Sequence, residues 1–214
     1  MNNSICDHSH ILQPMRYAPL VSTPAASSVH PTSAADAHTE AFNLYTRWAQ
    51  LEDRFLNSVE VALGIKPVGL PMESYLADRS DGSISLPLIV SRKVPEQDRL
   101  VVLVHEVLHR LFTRNDRYAP EPGTTDLLNC LRIEFGFTTF ATIVHIPVFA
   151  ALCMLHEDNV LGSEELHRHR ERHHANRAYL DAWHYVDRRG YSEIIFLLKT
   201  VYEELDSAHR RHAA

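Results

Sequence analysis

Five consecutive residues, His105-Glu106-Val107-Leu108-His109, hold the side chains that a metal-dependent hydrolase needs. Residues four apart on a helix leave the same face, so both imidazoles can reach a single ion. Glu106 then lies beside a metal-activated water, where it can take the water's proton as general base and later deliver it to a leaving amine. One zinc ion per chain is the expected cofactor. Zinc brings the pKa of a bound water to about 7, within the range of a carboxylate base.

A chain with 15 histidines in 214 residues meets this pattern by chance roughly 0.07 times, so the surroundings carry the argument. Leu100, Val101, Val102, Leu103, Val104, Val107, Leu108, Leu111 and Phe112 make the predicted helix, over about residues 96–113, apolar on nearly every side. Such a helix is buried. Two imidazoles and a carboxylate without partners there would cost several kcal/mol, roughly, and a metal supplies the missing partner.

A catalytic zinc needs a third protein ligand and an open fourth position. Asp126, Glu134, His145, His156 and Glu157 are the downstream candidates. Glu134 is the choice, because Leu131, Ile133, Phe135 and Phe137 surround it in sequence and an unpaired carboxylate is costly among them. An ion pair with Arg132 or Arg110 is the competing reading. On one continuous helix His145 would share nearly the same face as Glu134 but stand about 16 Å further along the axis. It is therefore the weaker competitor.

Other elements must hold these residues in place. Residues 1–38 are rich in Ser, Pro, Ala and His without apolar periodicity and read as a flexible tail. Leu44, Trp48, Leu51, Phe55 and Val59 then recur at helical spacing, up to Gly64 and Pro67. Ile84, Leu86, Leu88 and Val90 alternate like a strand, and Pro87 makes it an edge strand or a bulged one. A helix is expected from about residue 125 to 157, kinked near Pro147, then a charged helix from Ser163 to Gly190. A final helix carries Ile194, Leu197, Leu198, Val201 and Leu205 on one stripe. The fold class is α+β, with a core over residues 39–160 and a helical extension over 161–214.

An edge strand, an HExxH helix and a second helix bearing a glutamate together resemble the layout of gluzincin-type peptidases. More narrowly, residues 84–147 resemble the ImmA/IrrE family of metallopeptidases. The resemblance rests on Ile84-Ser85-Leu86-Pro87-Leu88-Ile89-Val90, on Asp98-Arg99-Leu100-Val101-Val102-Leu103-Val104 leading into the motif, and on Glu134-Phe135-Gly136-Phe137-Thr138-Thr139-Phe140-Ala141. It covers about a third of the chain and departs at Leu108, where the family usually has glycine. It implies a zincin-like core and cytoplasmic cleavage of a regulatory protein. A peptide substrate would add to the edge strand through main-chain hydrogen bonds. Tyr118, His145, His184, Tyr185 and Arg188 are chemically suited to stabilise the developing oxyanion.

The bulk properties are compatible with that reading. A net charge of −6 argues against a general nucleic-acid binder. The apolar run over residues 135–155 is broken by Thr138, Thr139, Thr142, His145 and Pro147, so burial in protein is expected rather than a membrane span. Three cysteines without CxxC spacing favour a reducing cytoplasm. Cys6, beside His8 and His10, reads as a free tail thiol. His167, His169, His173 and His174 alternate with arginines and read as an exposed charged face. The expected function is a zinc metallopeptidase acting on a protein or peptide. The alternatives are a non-hydrolytic zinc-containing regulatory or binding module and an enzyme using iron on the same ligands.

Overall fold

Trp48, Leu51, Phe55 and Val59 form the buried stripe of α1 (Ala34–Leu63) in the computed structural model. The structure describes residues 34–65, 74–79, 82–85, 88–113, 126–136 and 139–212. Residues 1–33 of the expected tail, Cys6 included, lie outside the described residues, and 34–38 already belong to α1. Glu40 ties this helix to residues 92–99, pairing with Arg92 at 2.8 Å and with Arg99 at 2.8 Å.

The molecule is mostly helical with a small two-stranded parallel sheet. β1 (Ser74–Ala77) pairs with β2 (Leu88–Ser91), Tyr75 opposite Ile89 and Leu76 opposite Val90. The strand expected over residues 84–90 is shorter than its alternation suggests. Ile84 folds back onto Ile89 in an antiparallel bridge with hydrogen bonds of 3.0 and 2.8 Å. β2 is therefore flanked on both sides at Ile89, not an open edge there; Leu86 and Pro87 lie outside the described residues.

After Pro95 a 3₁₀ turn (Glu96–Asp98) leads into α2 (Arg99–Thr113), and residues 99–109 are buried without interruption. The single long helix expected from residue 125 is two. α3 (Asp126–Phe135) stops at Gly136, whose φ of 63° is left-handed and disfavoured for any residue with a Cβ. α4 (Phe140–Glu157) starts afresh behind Thr139, whose hydroxyl accepts from the Thr142 amide at 3.2 Å. Pro147 sits within α4 without ending it. α4 is long and apolar enough to cross a membrane by composition, but most of it is buried within the fold, as a core helix is.

The charged helix expected over residues 163–190 is likewise divided. α5 (Ser163–Arg172) ends in a turn, and Asn176 opens α6 (Arg177–Arg189) by accepting from the Ala178 and Tyr179 amides at 3.1 and 3.4 Å. α7 (Tyr191–His212) closes the described chain, with Ile194 and Leu198 fully buried as its stripe predicts. One cluster of buried apolar side chains runs through α1, α2, α4, α6 and α7, so the last two helices share the core that holds α2 and α4.

Candidate metal centre

His105 and His109 stand one turn apart on α2, and the facing helix α4 brings a third imidazole, His145, up to them. The Nε2 atoms of His105 and His109 are 3.0 Å apart, and those of His109 and His145 are 3.1 Å apart. One ligand atom from each of the three lies within 4.8 Å of the others, and all three side chains are buried. Nitrogens bound about 2.05 Å from a tetrahedral ion are separated by about 3.3 Å. The three residues could hold a metal ion with little movement, leaving a fourth direction open.

Ring orientation is set from behind. The His145 Nδ1–H donates to the Ala141 carbonyl at 2.6 Å, which leaves its Nε2 lone pair aimed at His109. His105 Nδ1 lies 3.1 Å from Nε2 of His169, on α5. His169 is 1% exposed, so the expected exposed charged face is buried at this position. His173, one turn on, packs its ring edge-on against His169, with centroids 4.4 Å apart. His167 and His174 remain exposed, as the arginine-rich pattern implies.

The same arginines that suggested solvent explain the burial. Arg168 donates to Asp98 at 2.6 Å, and Arg172 donates to the other oxygen of that carboxylate. Asp98 is buried immediately before α2, so it locks α5 against the entry of the motif helix. Positions 168 and 172 grip Asp98 while 169 and 173, 100° further round the helix, face the histidines. Below them Phe149 stacks flat on Trp183, with centroids 4.2 Å apart and planes within 8°. Tyr179 covers the other side, its ring 3.9 Å from that of His145.

Burial governs the charge of every group here. It holds His105 and His169 well below the usual imidazole range, aided by their histidine neighbours. It also brings His109 to about 3, His145 to about 4 and His173 to about 4. These imidazoles are neutral at neutral pH, the form that ligates metals. Burial acts the opposite way on Glu106, pushing its carboxyl up to about 7, with no charge or hydrogen bond from a described residue offsetting it. Tyr179 is raised by burial and then by the nearby Glu106, so the phenol and the carboxylate face one region.

His105 and His109 thus lie together as their spacing implies, with Glu106 buried on the same helix, but Glu134 does not join them. It is on α3, exposed, and pairs with Arg189 of α6 at 3.3 Å. The break at Gly136 removes the premise that placed Glu134 and His145 along one helix. The residue brought to the pair is instead His145. Of the other expected candidates, His156 bonds the Leu161 carbonyl at 3.1 Å and Glu157 is exposed, while nothing is described of the Asp126 side chain. Among the residues suited to an oxyanion, the Tyr185 hydroxyl is held by Arg189 at 2.7 Å, His184 and Arg188 are exposed, and Tyr118 lies outside the described residues. Tyr179 is the phenol beside the site. His145 was detectable by the criterion that singled out the motif, a polar residue within an unbroken apolar helix. The buried role of His169 had no comparable signal.

No protein-family model matches the chain, and comparisons with curated proteins and with solved structures also give no match.

Proposed function

We propose that this chain is a zinc-dependent peptidase in which His105, His109 and His145 hold one zinc ion and Glu106 is the general base. The observation that carries this reading is the convergence of three buried, neutral imidazoles on one point, with the carboxyl next in sequence to His105 offset by no charge among the described residues. When bound, zinc supplies Lewis-acid activation of water and of the scissile carbonyl. Glu106 takes up the proton released on attack and returns it to the leaving nitrogen. Burial raises its carboxyl to about 7 in the absence of a cation, and a bound cation would lower it towards the carboxylate that accepts the proton at neutral pH. Tyr179, whose ring lies against that of His145, is the phenol that would donate a hydrogen bond as charge develops on the substrate.

Support for a zincin-like core is the local order of elements: β2, the 3₁₀ turn, then the HExxH helix, with a following helix bringing the third ligand. A cytoplasmic protein or peptide substrate belongs to the same proposal. A site built only for structure or for protein binding has no use for Glu106, whereas a hydrolase requires it.

The test is metal analysis of purified wild-type and Glu106→Gln protein, followed by a proteolysis screen with both. Stoichiometric zinc in both, with cleavage by the wild type alone and a loss of 10²–10⁴-fold (approximately) in the variant, is the expected result. Zinc in both with cleavage in neither favours the non-hydrolytic module. Iron in place of zinc favours an enzyme of another kind, and a wild type that takes up no metal sinks the proposal.

A further inference from the structure

We infer that His169 is a positioning residue that holds His105 in its metal-binding tautomer, by accepting a hydrogen bond from His105 Nδ1–H. This rests on the metal-site reading above. The two nitrogens of the His105 ring face different ways: Nε2 converges on His109 at 3.0 Å, and Nδ1 meets His169 Nε2 at 3.1 Å. A neutral imidazole carries one proton. If Nε2 is to offer its lone pair to an ion, the proton sits on Nδ1, and a buried N–H there needs an acceptor. His169 Nε2 is that acceptor.

The assignment sets the proton on His169 as well. With Nε2 accepting, its own proton resides on Nδ1, a buried atom with no hydrogen-bond partner among the described residues. That cost is offset where an ion engages the His105 Nε2 lone pair, so the arrangement belongs to the metal-loaded protein. The reverse arrangement, His169 donating to His105, would place the His105 proton on Nε2 and block the ligand lone pair. His145 solves the same problem with a backbone carbonyl of its own helix. His105 instead draws its partner from α5, which Arg168 and Arg172 fasten to Asp98 at the entry of α2. The ion pair and the imidazole pair thus join the same two helices, and α5 becomes part of the metal site without offering a ligand.

Competition titration of zinc against a chromophoric chelator, on wild type, His169→Phe, His169→Gln and His109→Ala, tests this. His169→Phe keeps the ring shape and removes the acceptor; a 10–100-fold (approximately) weaker zinc affinity is expected at unchanged one-to-one stoichiometry. His169→Gln supplies a carbonyl oxygen and is expected to recover most of that loss. Unchanged affinity in His169→Phe overturns the inference while leaving the metal site intact. Two zinc ions per wild-type chain, or loss of binding in both His169 variants as complete as in His109→Ala, overturns it by making His169 a ligand. A wild type that binds no zinc removes the metal-site reading and this inference with it. Independent of how the variants fold, ¹⁵N-histidine spectra of the zinc-loaded wild type should show the His105 proton on Nδ1, and finding it on Nε2 refutes the assignment.

Discussion

Glu106 and the imidazoles around it respond to burial in opposite directions, and the pairing of those responses prepares the site. Histidines lose their charge and gain free lone pairs, while the carboxyl is held near the point of proton exchange. A bound cation favours the carboxylate, so in zinc-loaded protein the acid limb of kcat/KM against pH should have its midpoint below about 7. An acid limb at or above 7 would mean that Glu106 does not sense the ion. The choice of third ligand is tested at this scale too. Zinc titration should show that His145→Ala loses tight binding and that Glu134→Ala binds as the wild type does. Glu134 contributes only an exposed pair with Arg189, and such pairs are worth about 0–1 kcal/mol.

Element boundaries, more than element types, decided which residues meet. Gly136 ends α3 and lets α4 start on a new axis, so His145 faces α2 while Glu134 stays outside. The turn at 173–176 similarly lets α5 lie along α2 while α6 packs on α4. Two substitutions separate the consequences. Asp98→Ala releases α5 from α2, and it should lower the melting temperature by several degrees and weaken zinc binding together. Asn176→Ala removes an exposed cap at the start of α6, the helix that carries Tyr179 and none of the three imidazoles. It should cost about 1 kcal/mol in denaturant unfolding and leave zinc affinity unchanged. Equal effects on zinc from both would show that the site responds to general loosening rather than to the α5 clamp.

At the scale of the whole molecule, the histidine cluster makes metal-free stability dependent on pH. His109, His145 and His173 have folded values of about 3 to 4, against an ordinary 6.5. Below about 6.5 the unfolded chain takes up protons that the folded chain refuses, so their contribution is lost as pH falls from about 6.5 towards 3. Glu106 acts with the opposite sign: raised from 4.5 to about 7, it favours the fold at low pH and loses that contribution as pH rises through 7. Three histidines outweigh one carboxyl, so metal-free protein should unfold at lower urea concentration at pH 4.5 than at pH 6.5. Zinc at a hundredfold over its Kd adds about 2.7 kcal/mol. Its effect on the melting temperature should be larger at pH 5.5 than at pH 4, because protons compete for the buried imidazoles only as pH approaches their folded values of about 3 to 4. A pH-independent zinc shift would argue against histidine ligation.

The histidine pair and the buried carboxyl between them were legible in the sequence because their relation is local. Four residues of helix set the spacing of His105 and His109, and the apolar flanks of residues 100–112 dictated burial whatever packed around them. The stripes of α1 and α7 were legible for the same reason. The third imidazole, the buried partner behind His105 and the phenol over His145 come from α4, α5 and α6, and no periodicity relates one helix to another. A glycine in a left-handed conformation, an asparagine cap and one buried aspartate gripping two arginines fixed those relations. The sequence by itself determined that a buried helix would present two imidazoles and a carboxyl. Only the tertiary structure decided what completes them, because side chains far apart in the chain meet only once helix ends and ion pairs have set the helices against each other.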